Sequence, residues 1–210
     1  GVAMDNFYTN YEHPFTEKPS MVVHGDDNLA VAEGHYGSAA LDRLKENMIS
    51  YYLSIGWTAK VKISTDWECV EFCSSLFWPV EGGYVLGPKI GKRLPKIGFS
   101  LKKLTLGEVK GMLIGLSIEA GHVPVVRKYA EKCLAKLDHV EVEHVVDARS
   151  KYKSLPVSAH KCCDETDVFF LSRYGITIED AEEELEAILF GDLLVCTEFK
   201  YLPFFTEVDL

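Results

Sequence analysis

Met21-Val22-Val23-His24-Gly25-Asp26-Asp27-Asn28-Leu29-Ala30-Val31 is the stretch that decides how this chain is read. Two apolar runs rich in β-branched residues flank Gly-Asp-Asp-Asn, the pattern of a β-hairpin with acid at its tip. The apolar strands are expected to bury the base of the hairpin while the turn carries two adjacent carboxylates outward. Carboxylates held side by side repel one another, and a divalent cation relieves that repulsion. Their oxygens are hard donors that suit Mg2+ or Mn2+, and such a site favours phosphoryl transfer assisted by one or two metals. Gly-Asp-Asp by itself also fits an ordinary Asp-rich surface turn, so the residues that follow it decide its meaning.

The chain has 210 residues, enough for one domain or two small ones with a real core. At 47% hydrophobic and 26% charged residues it is globular rather than disordered. It holds no run of eighteen uninterrupted apolar residues, so no membrane span is expected. Gly1-Val2-Ala3-Met4-Asp5-Asn6 lacks the basic region and apolar core of a signal peptide, and position 1 is not Met. Both features fit a piece of a longer chain. The six cysteines show no framework spacing and read as free thiols in a reducing compartment. His160-Lys161-Cys162-Cys163 has no partner pair at zinc-finger spacing.

A net charge of −10 argues against a general nucleic-acid-binding surface. The distribution says more. Gly82 to Gly107 carries Lys89, Lys92, Arg93, Lys96, Lys102 and Lys103 with no acid, a local strip able to hold a phosphate backbone. Glu179 to Glu186 is strongly acidic and reads as a solvated helix face.

In chain order, Val2, Ala3, Phe7 and Tyr8 suit the end of a helix, and Tyr11 to Ser20, with Pro14 and Pro19, reads as a loop. After the hairpin, Ser38 is placed to cap a helix over about Ala39 to Leu53, with Gly56 at its end. Trp57 to Ser64 alternates Ala59, Val61 and Ile63 with Lys60 and Lys62, which predicts a half-buried strand presenting two lysines. Val70 to Ser74 and Gly83 to Gly87 predict a further strand pair around Pro79 and Gly82-Gly83. Thr105-Leu106-Gly107-Glu108 is a capping box, and Pro124 opens a second helix to about Leu137. Lys151 to Thr166 looks irregular. Thr177 caps a last helix through Phe190, Gly191 ends it, and Leu193 to Phe205 forms an apolar tail.

An acidic hairpin, a helix, a lysine-bearing strand, a Phe-Cys-Ser hairpin, a basic strip and a helical bundle follow in that order. The order resembles the C-terminal half of RNA-directed RNA polymerases of positive-strand viruses, with a flavour like the nodavirus-like and tombusvirus-like groups. The resemblance implies an α+β fold in which residues 1–104 are the C-terminal part of a right-hand palm, an antiparallel sheet with a helix. Residues 105–210 would be a mainly helical thumb. It gives Asp26, and more weakly Asp27, the catalytic Mg2+ or Mn2+. It makes Lys60, or else Lys62, the residue that protonates the leaving pyrophosphate. Phe72-Cys73-Ser74 resembles the primer grip, and Lys89, Lys92 and Arg93 would then lie along the nascent duplex. Arg173-Tyr174-Gly175 is similar to a thumb feature.

The implied activity is two-metal nucleotidyl transfer that replicates and transcribes a viral RNA genome. Template and nascent RNA and nucleoside triphosphates would be its partners, in a replication complex of the host cytoplasm. One departure is clear: the family's first aspartate motif and its Ser-Gly motif are missing, and Asp5 is the only aspartate before Asp26. Residues 1–8 resemble the continuation of the second-motif helix, so the fingers and the rest of the palm are expected from the same polyprotein, and this segment alone should be inactive. The alternative is a non-catalytic interaction module whose acidic turn binds a cation or nothing.

Overall fold

The computed structural model describes residues 2–97, 99–101, 103–143, 160–188 and 198–210. The fold is α+β, with small antiparallel sheets and eight α-helices among the described residues. The chain divides into two compact units, Gly1–Cys73 and Ser74–Leu210.

In the first unit, α1 (Val2–Asn10) and α2 (Ser38–Ser54) are joined through β1 (Ser20–His24) and β2 (Asp27–Val31); an extended segment then leads to β3 (Glu71–Phe72). Met4, Phe7 and Tyr8 of α1 meet Leu44, Met48, Tyr51 and Tyr52 of α2 in an aromatic-rich core. Burial, and then the neighbouring Tyr52, push the Tyr8 phenol up to about 12. Asn6 Nδ2 donates to the Tyr51 hydroxyl at 2.9 Å. The helix over 38–54 matches the predicted periodicity, but Gly37 takes the N-cap position and Ser38 is the first helical residue, without a side-chain cap. Gly56 ends the helix as expected. At φ +84 it lets the Gly56 and Trp57 N–H groups reach the Leu53 and Tyr52 carbonyls, a Schellman motif.

Two expectations for this unit change. The hairpin buries only part of its base. Met21 and Ala30 pack on the core, whereas Val22, Val23 and Val31 are exposed. Residues 57–64 keep the predicted alternation, with Ala59, Val61 and Ile63 against the core and Lys60 and Lys62 in solvent. They are extended chain rather than a strand. Side-chain alternation needs only extended backbone, whereas a strand also needs a hydrogen-bonded ladder.

In the second unit, β4 (Ser75–Val80) pairs antiparallel with β5 (Gly83–Pro88), from Ser75↔Pro88 to Val80↔Gly83. The predicted strand pair is thus shifted: Pro79 lies inside β4, opposite Tyr84, and Glu71-Phe72 forms a separate short strand. Then come α3 (Ile90–Arg93), α4 (Leu106–Ala120), α5 (Pro124–Lys136), α6 (Asp164–Tyr174), α7 (Ile178–Ala187) and α8 (Leu202–Asp209). The Thr105–Glu108 capping box forms as predicted, and so do the Pro124 start of α5 and the Thr177 cap of α7. α7 ends at Ala187, where Ile188 turns extended, short of the expected Phe190; Phe190 and Gly191 themselves lie outside the described residues. Three helices, α3, α6 and α8, are additional to the sequence reading. Cys163, an uncommon capping residue, opens α6, and Pro203 sits in the first turn of α8.

Trp78 of β4 packs edge-on against Phe169 of α6 at 5.0 Å, and the Thr166 hydroxyl donates to the Pro79 carbonyl at 2.8 Å. These contacts draw the β4–β5 hairpin into the helical unit. The compact units therefore part between Cys73 and Ser74, ahead of the composition change near Leu104.

A buried carboxylate fastens α8. Asp209 accepts from the Gly91 N–H at 2.8 Å, from Arg173 Nη2 at 2.8 Å and from the Tyr174 hydroxyl at 3.0 Å. Burial, and then the Asp209 charge, hold the Tyr174 phenol well above its ordinary value. At Gly91 a Cβ would stand 1.9 Å from the Phe205 carbonyl oxygen. Removing one member of a buried ion pair leaves the other uncompensated, so Asp209→Ala should cost about 3 kcal/mol in urea unfolding. Gly91→Ala should also be strongly destabilising, because α8 must move to admit it.

His122 is buried, and neither ring nitrogen has a hydrogen-bond partner of normal geometry among the described residues. Burial, and then the nearby His160, lower it from 6.5 to about 4, while the Leu86 backbone opposes part of that shift. The folded state then binds fewer protons than the unfolded one between those values. The contribution of neutral His122 is complete above pH 6.5 and declines as pH falls towards 4. Thermal unfolding should therefore show a lower melting temperature at pH 5 than at pH 7, with a smaller drop in His122→Leu.

Candidate functional site

A two-residue turn builds the acidic tip. His24 faces Asp27 across the β1–β2 ladder, which leaves Gly25 and Asp26 as the loop. Gly25 has φ +62 at the first central position, the pattern of a type II′ turn, whose twist matches that of the strands. Asn28 Nδ2 donates to the Asp26 carbonyl at 2.9 Å. The turn is tighter than expected, since Asp27 and Asn28 already belong to β2. Both carboxylates are exposed.

β2 lies against β3. Cys73 follows β3 directly, and its side chain hydrogen-bonds the Asp27 carboxylate. Desolvation pushes the thiol up, followed by the Asp27 charge, the hydrogen bond to Asp27 and the Asp26 charge. Phe72 is buried beside it. Cys73 and Asp27, far apart in sequence, thus lie close together within the first unit. Lys62 Nζ stands 4.0 Å from Glu71 Oε2 on the same β3, an exposed pair of little energetic weight. Lys60 projects into solvent from the same extended segment.

The other predicted residues, Ser74, Lys89, Lys92 and Arg93, belong to the second unit. Lys89 is buried, with its ammonium 3.4 Å from the Asp209 carbonyl oxygen, and Arg93 pairs with Glu119 at 2.7 Å. Lys92 is half-buried. Of the strip read as a cationic track, Lys89 and Arg93 are therefore engaged inside their own unit, whereas Lys96 and Lys103 are exposed and Lys102 lies outside the described residues. Sequence reasoning missed Asp209, the carboxylate that Arg173 and Tyr174 hold, because no local pattern marks a partner at the far end of the chain. In the His160–Cys163 stretch, Cys163 caps α6 and Cys162 lies 3.5 Å from Arg127 Nη1, which gives both cysteines structural contacts.

Asp26 and Asp27 offer adjacent hard oxygen donors open to solvent. This donor set suits Mg2+ or Mn2+, since Mg2+ is commonly held by one or two carboxylates while waters and substrate phosphates complete its shell. Among the described residues, no group of three or more His, Cys, Asp or Glu side chains is gathered to hold an ion. No protein-family model, curated protein or solved structure matches the chain.

At Gly25 an added Cβ meets nothing within 4 Å, so the cost of a side chain there is purely conformational. Gly25→Ala should lower stability by about 1 kcal/mol in urea unfolding, the usual cost of left-handed backbone for an L side chain.

Proposed function

We propose that this chain is the C-terminal palm and thumb portion of an RNA-directed RNA polymerase of a positive-strand virus. It would work in a cytoplasmic replication complex with template and nascent RNA and nucleoside triphosphates. The observation that carries the reading is the approach of Cys73 to Asp27 of the acidic hairpin. The acidic hairpin and Cys73 follow one another in the order that resembles the family, and Cys73 approaches Asp27 within the first unit.

In this reading Asp26 is the principal carboxylate for Mg2+ or Mn2+, and Asp27 assists. The bound metal supplies charge stabilisation at the attacking and leaving oxygens of an in-line displacement. Lys60 or Lys62, on the exposed face of the extended segment, protonates the departing pyrophosphate as a general acid. Phe72, Cys73 and Ser74 steady the primer end, and Lys92 neutralises backbone phosphate without reading bases. Lys89 and Arg93 contribute indirectly, by fixing the segment that carries Lys92. The family's first two motifs are supplied by another part of the polyprotein, and this segment by itself makes no RNA.

In the complete polymerase, Asp26→Asn should reduce nucleotide incorporation by about a hundred- to a thousandfold. Asp42→Asn, an exposed carboxylate on α2, should leave incorporation near the wild-type rate. Incorporation of labelled nucleotide on a primed RNA template measures both. Wild-type synthesis by Asp26→Asn would overturn the reading in favour of an interaction module.

A further inference from the structure

Between α3 and α4 the chain leaves large apolar side chains in water. Ile97 packs against the helical core, and the Phe99 N–H reaches back to the Lys96 carbonyl at 3.3 Å. Beyond that turn Phe99 is 69% and Leu101 111% exposed, and Leu106 at the start of α4 is 52% exposed. Single apolar residues at a surface are ordinary. These stand in a run from Gly82 to Gly107 that holds no acid, and exposed Lys96 and Lys103 flank Phe99 and Leu101. Neither lysine forms an ion pair among the described residues. The acids of neighbouring segments are engaged otherwise. Glu119 pairs with Arg93, Glu108 accepts from the Thr105 N–H, and Glu143 accepts from the Thr105 hydroxyl.

We propose that Lys96, Phe99, Leu101 and Lys103 form a docking surface for an anionic lipid membrane. Phe99 and Leu101 enter the boundary between headgroups and acyl chains, while the two lysines meet anionic headgroups. The apolar side chains gain by leaving water, and the lysines gain from the negative potential of the lipid surface. The net charge of −10 does not oppose this, because screening over ~8 Å at physiological salt leaves the local lysines to decide. Attachment is peripheral, since no described helix is long and apolar enough to cross a membrane. Lipid fits this surface better than nucleic acid does. A base can stack on Phe99, but Leu101 has no π face to offer one. The surface lies in the second compact unit and is independent of the polymerase reading.

The test is co-sedimentation of the 210-residue chain with vesicles of phosphatidylcholine, alone or mixed with phosphatidylserine. The wild type should bind the mixed vesicles about tenfold more tightly than the neutral ones, and high salt should weaken that binding. Phe99→Ser combined with Leu101→Ser should weaken it by about tenfold or more, and Lys96→Gln combined with Lys103→Gln by about tenfold. All four side chains are exposed, so urea unfolding of these variants should match the wild type, which separates lost docking from lost folding. Val168→Ser with Leu171→Ser, which alters an exposed apolar pair on α6 beside Asp164, Glu165 and Asp167, should bind like the wild type. In Phe99→Trp, bromine on the acyl chains should quench emission beyond the level that Trp57, Trp67 and Trp78 give in the wild type, a direct sign of insertion.

Absence of binding to the mixed vesicles, or binding that ignores both double substitutions, overturns the proposal. An equal loss in the Val168 and Leu171 variant, or no added quenching in Phe99→Trp, does the same. A Phe99→Ser, Leu101→Ser chain that binds vesicles normally but loses affinity for a single-stranded RNA oligonucleotide also overturns it, and assigns the surface to nucleic acid.

Discussion

Everything at the candidate site depends on how tightly the chain reverses at Gly25-Asp26. A two-residue loop fixes the register, so that His24 meets Asp27 and the whole β1–β2 ladder follows from that pairing. A slip by one residue would carry every side chain of a strand to its other face and take Asp27 away from β3. The left-handed glycine is therefore a positional requirement of the acidic tip. The hydrogen bond from Cys73 adds a second constraint, from a different part of the chain.

Charge is handled differently in the two units. At the hairpin tip the carboxylates are exposed, where water screens their repulsion and a cation can reach them. In the helical unit Asp209 is buried, and its oxygens are taken up by a backbone N–H, a guanidinium and a phenol. A buried carboxylate without those partners would be strongly destabilising. Asp209 thus ties α3, α6 and α8 together, and through α3 it sets the backbone of the Lys89–Arg93 segment. Lys89, which looks like a free cation in the sequence, is drawn into this internal arrangement, whereas Arg93 makes a partly exposed ion pair with Glu119.

Local rules made much of the architecture legible. The capping box at Thr105, the proline start of α5, the Thr177 cap and the Schellman glycine at position 56 are interactions within a few residues, so the sequence displays them directly. The hairpin and the acidic pair at its tip were legible for the same reason. Reading failed where the decisive partner was distant or the signal unusual. Residues 57–64 alternate like a strand but lack a ladder, Cys163 caps α6 in place of the common residues, and β4 runs through Pro79, usually a mark of interruption.

What the sequence determined by itself is the α+β character, the turn that carries Asp26 and Asp27, the extent of α2 and the starts of α4, α5 and α7, because hydrophobic period, caps and turn residues act over one or two turns of chain. Tertiary structure alone decided that Cys73 reaches Asp27, that Asp209 closes on Arg173, Tyr174 and Gly91, and that the β4–β5 hairpin joins the helical unit. Those outcomes depend on which surfaces meet after the chain collapses. Packing and the need to pair buried polar groups select them, and neither leaves a periodic mark in the order of the residues.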